Sequence, residues 1–411
     1  MILTGRAIVF MANTKYDSAI QATSLFLARS LAKNNKVYFV DYPFTLKDYI
    51  KYQDSEELKR RQGLYKPSSN GLIDTELPNF KIIIVPPVFP INFLPEGPVF
   101  RSALKINEAI MGSRINKALK ADGVKEFILI NSFNFHFPNI AKLIKPVLTV
   151  YQCVDPMIVP YDMKHGFVSE EILVKKSDLV ICTSKALYNE KRKANKNTYF
   201  VPNAADVTHF GKATENSLPV HPKIKDLPKP VIGYLGSIER RIDYKLLTKV
   251  VEANPEKTFV LAGPVWHEYV PKALSNAQNL HIIGPVDYNE VPSLIKGFDV
   301  AIIPFKKDKV SDTIFPLKLF EYLSAGKPVV ITDFNPDLKE YTGDLVDFCP
   351  DAYTFTEALN VGLQNNTADK VQQRIALAAQ NTWEKRAEEI GDIINAHLKH
   401  QPTESGVSSL S

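Results

Sequence analysis

Within the short stretch from Asp299 to Thr332 the chain passes from a strand pattern to a helix pattern and back. Val300-Ala301-Ile302-Ile303 is an apolar, partly β-branched run that reads as a buried strand. After a polar loop, Pro316 suits the first turn of a helix, where its missing N–H is no loss. Leu317, Phe320, Leu323 and Ser324 then recur at helical spacing. Gly326 stands where a C-terminal cap belongs, Pro328 forbids continuation, and Val329 to Ile331 read as the next strand. Such a βαβ unit crosses over right-handed into a parallel sheet.

The same grammar runs through the chain. Ala7 to Phe10, a helical pattern over 20–33, and Val37 to Val40 open a first βα series. Strands at Lys81 to Val85, Phe127 to Ile130, Val147 to Tyr151 and Thr198 to Val201 continue it, with a helix over Ile106 to Leu119. Residues 44–79 are polar and aromatic and look like an insertion. Residues 211–230 hold four prolines and little apolar periodicity, which predicts a linker. A second series follows from Val231 through strands at Phe259 to Gly263 and His281 to Gly284. The expectation is two domains, 1–206 and 207–380, with a last helix over 381–400 that returns to the first domain and a disordered tail at 401–411.

Several residues sit where chemistry is done in such folds, at strand ends and helix starts. Lys318 and Glu321 are three apart and share a helix face near its N-terminus, where free N–H groups and the dipole attract anions. A lysine there suits a diphosphate, and a carboxylate one turn on can accept two ribose hydroxyls. An exposed ion pair on an ordinary helix would show the same spacing. Gly236 ends the strand that starts at Val231, and a glycine there lets backbone approach a phosphate that Arg240 or Arg241 can clamp. Asp155 follows the Val147 to Tyr151 strand and can point into a cleft as a proton acceptor; an Asp before Pro156 is also a common turn former. His136 lies at a strand end as a rival base.

The stretch Pro316-x-Lys318-x-x-Glu321-Tyr322-x-x-x-Gly326-Lys327-Pro328-Val329-Val330 resembles the donor-site segment of GT-B glycosyltransferases of the bacterial surface-polysaccharide, group 1-like type. The segments Leu261-Ala262-Gly263-Pro264, Pro202-Asn203-Ala204-Ala205-Asp206 and Tyr151-x-Cys153-x-Asp155 extend the likeness over most of the chain. The resemblance implies an α/β GT-B fold of two Rossmann-like doubly wound domains facing across a cleft. It implies donor contacts from Gly236, Arg240, Arg241, Tyr288, Lys318, Leu319 and Glu321, with Val291 beside Tyr288 near the base. It makes Asp155 the catalytic base of a hexosyl transfer and places Tyr16, Asp17 and Gln21, with Asn13 and His136, on the acceptor side. Relatives carry a second acid eight residues before the helix glutamate; here that position is Thr313, beside Asp312, and Ala204 replaces a usual glycine. Those departures leave a catalytically idle nucleotide-sugar binder in view, and a nucleoside diphosphate sugar epimerase of the same architecture is a second alternative.

Composition narrows the partners. Cys153, Cys182 and Cys349 are widely spaced and form neither a metal pattern nor an even disulfide set, which points to a reducing cytoplasm. Asp333-Phe334-Asn335 supplies no D-x-D metal motif, so no metal and no cofactor is expected, only a nucleotide-sugar donor, UDP-linked, and a saccharide or lipid-linked acceptor. Residues 1–210 hold 28 Lys/Arg against 19 Asp/Glu, a net of +9, and the remainder 22 against 26, a net of −4. A basic N-terminal half suits peripheral contact with anionic lipid at the inner face of the plasma membrane. No nucleic-acid motif accompanies the charge.

Overall fold

The computed structural model describes residues 2–18 and 23–400, without the side chain of His400. The chain divides into two units, Met1–Pro202 together with the chain from Glu384, and Asn203–Trp383. The tail 401–411 and Gln21 lie outside the described residues.

The first unit is built on strands β1 (Ala7–Ala12), β2 (Lys36–Val40), β3 (Leu72–Asp74), β4 (Phe80–Ile83), β5 (Ile128–Ser132), β6 (Leu148–Cys153), β7 (Leu179–Cys182) and β8 (Thr198–Phe200). They lie in the order β3-β4-β2-β1-β5-β6-β7-β8, parallel throughout except for the edge strand β3, which pairs antiparallel to β4. β1 and β5 feed their following connections in opposite directions along the sheet, so the crevice at their C-terminal ends is a topological switch point. β1 and β7 are apolar and β5 is buried along its whole length because both sheet faces are covered.

The region 44–79 is ordered structure, not a polar excursion. Helices Leu46–Lys51 and Glu56–Gln62 precede β3. Thr45 and Ser55 cap the two helices through their hydroxyls, Thr45 in a reciprocal box with Asp48. The second helix carries Arg61, whose side chain is fully buried. The expected helix over 20–33 spans Thr23–Ala32 among the described residues, and the one expected over Ile106–Leu119 begins earlier, at Pro98, and runs to Ala121. Pro98 at its first turn explains the early start.

The second unit holds β9 (Val231–Leu235), β10 (Thr258–Ala262), β11 (Leu280–Gly284), β12 (Val300–Ile303), β13 (Val329–Thr332) and β14 (Val346–Cys349). All pairs are parallel and the order is β11-β10-β9-β12-β13-β14. Its switch point lies between β9 and β12. Residues 211–230 are not a linker. Ala213 and Ile224 are buried in this unit's core, with Val220 and Leu227 packed beside them. The prolines hid four apolar side chains that reach the same core from an irregular backbone.

The helix after β12 spans Leu317–Ser324 and buries Leu319, Phe320, Tyr322 and Leu323. Pro316 stands at its N-cap. Its end is a Schellman motif: Lys327 N donates to Tyr322 O at 3.1 Å, Gly326 N donates to Leu323 O at 2.9 Å, and Gly326 takes φ +68°.

Candidate functional site

The second unit gathers the expected donor residues at its switch point. β9 ends on Gly236, which adopts φ +141°. A side chain there would meet the Lys318 Nζ at 2.8 Å, so the glycine leaves just enough room for that ammonium. Gly263, at the end of β10, has the same φ, and a Cβ on it would lie 2.2 Å from Gly236 O. Two adjacent strand ends are therefore held in backbone contact directly beneath the lysine.

Tyr322, one residue past Glu321, ties the strand to the helix. Leu235 N donates to the Tyr322 hydroxyl at 2.7 Å. The loop after β9 is fixed to the loop after β12: Asp243 N donates to Pro304 O and Lys306 N to Arg241 O, both at 2.8 Å. The Arg241 guanidinium lies 5.9 Å from the Phe305 ring centre and its Nε donates to Glu239. Arg240 Nε is 3.8 Å from the same carboxylate and its side chain stays exposed.

Lys318 and Glu321 are enclosed on most sides yet keep an opening to solvent. Among the described residues neither side chain has a hydrogen-bond or ion-pair partner. The ammonium of Lys318 faces rings instead, 5.0 Å from the centre of Phe305 and 5.2 Å from that of Tyr234. Burial, then the positive charge of Arg241, pulls the Lys318 pKa down to about 8. Burial pushes Glu321 up to about 7, with Lys318 opposing and Asp206 adding to the shift. The expected alternative, an exposed ion pair between the two, is not what forms. Two charged groups desolvated without a protein partner at a switch point mark this place as the candidate ligand site.

The surrounding expected residues divide. Leu319 is fully buried and its N–H donates to Pro316 O at 3.2 Å, so its part is packing. Tyr288 sits in a single turn just before the helix Val291–Lys296, and Val291 is buried at the start of that helix. One face of the Tyr288 ring is covered by His209, with ring centres 4.0 Å apart, and its hydroxyl donates to Asp206 at 3.2 Å. Asp206 also caps the helix Val207–Gly211, and Asn203 Nδ2 donates to Phe315 O at 2.9 Å, so the Pro202 to Asp206 segment supports the loop that starts the Leu317–Ser324 helix. Thr313 donates to Val310 O and Asp312 is exposed. Tyr322 and Gly263 were missed by sequence reasoning as parts of this site. The Tyr next to Glu321 and the glycine at a second strand end were their signals.

In the first unit, Asp155 is exposed on the loop two residues beyond β6. Thr183 steadies that loop: its hydroxyl donates to Val154 O at 2.8 Å. His136 has Tyr42 Oη at 2.9 Å from its Nδ1 and Asp162 Oδ1 at 3.5 Å from its Nε2, so both ring nitrogens face protein. Asp17 accepts two bonds from the Arg61 guanidinium, at 3.0 and 2.6 Å, and Arg61 in turn holds Asp41 at 2.7 Å. Asp17 therefore anchors the loop after β1 to the helix Glu56–Gln62. Tyr16 lies under the same guanidinium at 4.7 Å, with its N–H donating to Asp41. Asn13 is exposed on the same loop.

Residues 229–365 match the model of the family described as Glycosyl transferases group 1. A protein of Bacillus subtilis (strain 168), named "Putative teichuronic acid biosynthesis glycosyltransferase TuaH", is 27% identical over 213 residues, 48% of this chain and 53% of that protein. The chain thus matches about half the length of that curated relative. Among solved structures, Anabaena Alr3699/HepE in complex with UDP superposes with a TM-score of 0.61 at 13% identity, covering 95% of this chain and 100% of that one. The α,α-trehalose 6-phosphate synthase of Burkholderia multivorans gives a TM-score of 0.68 at 8% identity, covering 96% and 99%. The E. coli trehalose-6-phosphate structure bound with UDP-2-fluoro glucose gives 0.63 at 11%, covering 94% and 98%. Residues 229–365 are therefore similar to the glycosyl transferases group 1 family, and the chain as a whole has the GT-B fold.

Proposed function

We propose that the protein transfers a hexosyl group from a nucleoside diphosphate sugar, UDP-linked, to a hydroxyl of a saccharide or lipid-linked saccharide acceptor, in the assembly of a surface polysaccharide. The observation that carries this reading is the pair Lys318 and Glu321, desolvated and unpartnered at the β9/β12 switch point. Lys318 would meet the diphosphate, with the Leu317–Ser324 helix start and Gly236 giving the phosphates close backbone. Glu321 would accept the ribose hydroxyls. The relative's name and the UDP-bound neighbours support the choice of donor and pathway.

In the transfer, the acceptor oxygen forms a bond to the anomeric carbon while the bond from that carbon to the diphosphate oxygen breaks. The acceptor's proton goes to the Asp155 carboxylate. The negative charge left on UDP falls to Lys318 and to Arg241, which would turn from Glu239 towards it. Asp155 is preferred to His136 as base because both nitrogens of His136 already face Tyr42 and Asp162. Attack of the acceptor oxygen from the face opposite the departing diphosphate, with Asp155 as the single base, would make the transfer inverting.

The test is calorimetry with UDP, followed by incubation with UDP-sugars and saccharide or lipid-linked acceptors, with the product read by NMR. UDP binding and a glycoside of inverted configuration are expected. Absence of UDP binding would remove the donor site; binding with interconversion of the sugar in place of transfer would make the protein an epimerase. A glycoside of retained configuration would remove Asp155 from the role given to it.

A further inference from the structure

We infer that one helical face of the first unit is a docking surface for an anionic lipid bilayer. This does not rest on the transferase reading.

Val9 pairs with Leu129, Leu129 with Thr149 and Tyr151 with Val180, so Val9, Leu129, Tyr151 and Val180 point to one face of the sheet. Three helices cover that face: Pro98–Ala121 through Met111 and Ile115, Ile140–Ile144 through both its end residues, and Pro160–Lys176 through Leu173 and Val174. They are tied into one layer. Arg101 Nη1 donates to Ser169 at 2.8 Å, Lys176 Nζ to Asn139 Oδ1 at 3.3 Å, and Asn116 to Leu143 O at 3.1 Å. The loop before the first helix joins them, because Lys164 Nζ donates to Asn92 O at 2.8 Å and to Phe93 O at 3.1 Å.

The outer side of this layer is apolar and basic at once. Of 21 exposed large hydrophobic residues among the described ones, 11 lie within 89–106, 143–147 and 159–168. Phe93 is 78% exposed, Val99 67%, Tyr161 65%, Ile106 54% and Phe167 52%. Exposed apolar side chains gathered in this way mark an interaction surface. The stretches 98–121, 140–145 and 160–176 carry ten Lys/Arg and four Asp/Glu, and two of those acids, Glu108 and Glu170, are buried on the inner side. Lys142 and Lys176 crowd each other: burial, then the charge of Lys142, draws the Lys176 pKa down. A phosphate between them would relieve that repulsion.

Aromatic and aliphatic side chains beside lysines are what a surface needs in order to sit in the headgroup region of acidic lipid without spanning it. No described helix is long and apolar enough to cross a membrane. A protein partner without acidic residues around its apolar patch would satisfy the apolar groups and leave the lysine excess unmatched; a nucleic acid would do the reverse. An acidic bilayer matches both.

The experiment is flotation of the purified chain with vesicles of phosphatidylcholine alone and with added phosphatidylglycerol, at low and high salt. The protein is expected to float with the acidic vesicles and to be released by salt. The combined variant Phe93→Ser/Val99→Ser/Phe167→Ser should lose at least tenfold in vesicle affinity. Lys105→Gln/Lys142→Gln, both at the solvent side, should lose about fivefold per lysine and show a flatter salt dependence. Circular dichroism and a thermal melt on each variant confirm that the fold is kept. Failure of the wild type to float with acidic vesicles overturns the inference. So does flotation that ignores lipid charge and salt, or that persists in both variants. A dimer in gel filtration that the apolar variant dissolves would assign the face to a second copy of the chain instead.

Discussion

Lys318→Met removes a charge and keeps most of the side chain's length, and its effect should differ in sign with and without ligand. In the free protein the ammonium lies among Tyr234, Phe305 and the Arg241 charge with no carboxylate bound to it. Its pKa falls from the ordinary 10.5 to about 8. At about 1.4 kcal/mol per unit this is a ceiling of roughly 3.5 kcal/mol of strain on the folded state. The opening to solvent reduces it to about 1–2 kcal/mol. The folded protein binds this proton less tightly than the unfolded chain does. The cost is therefore complete below about pH 8 and fades as pH rises from there towards 10.5. Lys318→Met should then be about 1–2 kcal/mol more stable than wild type in urea melts at pH 7, with the gap closing by pH 10. The same variant should lose about 1.5–3 kcal/mol of UDP binding, the range for a hydrogen bond to a charged group. That is a weakening of roughly tenfold to 150-fold by calorimetry. A variant that is less stable than wild type and binds UDP equally well would mean that Lys318 supports the fold and has no part in a ligand site.

The affinity for UDP should have a plateau near pH 7–8. Above it the free Lys318, with a pKa of about 8, must take up a proton to bind, and below it Glu321, at about 7, must release one, so calorimetry in buffers across pH 5.5–9.5 should show falling affinity on both sides. Asp155→Asn should lower turnover by roughly 10²–10⁴-fold and leave UDP affinity near wild type; normal turnover with a lower melting temperature would make Asp155 a turn former. Arg61→Met leaves Asp41 buried with its guanidinium partner gone and should cost about 3–5 kcal/mol in urea unfolding. If that variant unfolds like wild type, the Asp17–Arg61–Asp41 cluster does not hold the first loop in place.

The stretch from Val300 to Thr332 was legible because each of its signals is local. Strand runs, a proline at the helix entrance and Gly326 at the exit act through neighbours a few residues away, and the Schellman bonds join residues three and five apart. The doubly wound class followed from the alternation of such units, and the Lys318/Glu321 spacing placed both on one helix face. What the spacing left open was whether they pair with each other. Packing decided that, by setting the lysine above Gly236 and beside Tyr234 and Phe305, the first two of them far away in the chain.

Long-range contacts decided the rest. Residues 211–230 look like a linker because prolines erase any helical or strand period, yet Ala213 and Ile224 are buried as fully as strand residues. Residues 44–79 look solvated because they are charged, and Arg61 among them is fully buried, since Asp17 and Asp41, 44 and 20 residues away, neutralise it there. Asp17 looked like a ligand contact for the same reason: a carboxylate on a loop reads identically whether it meets a substrate or an arginine. Composition and period report what a segment can bury; which partner compensates a buried charge depends on contacts that only the folded chain makes.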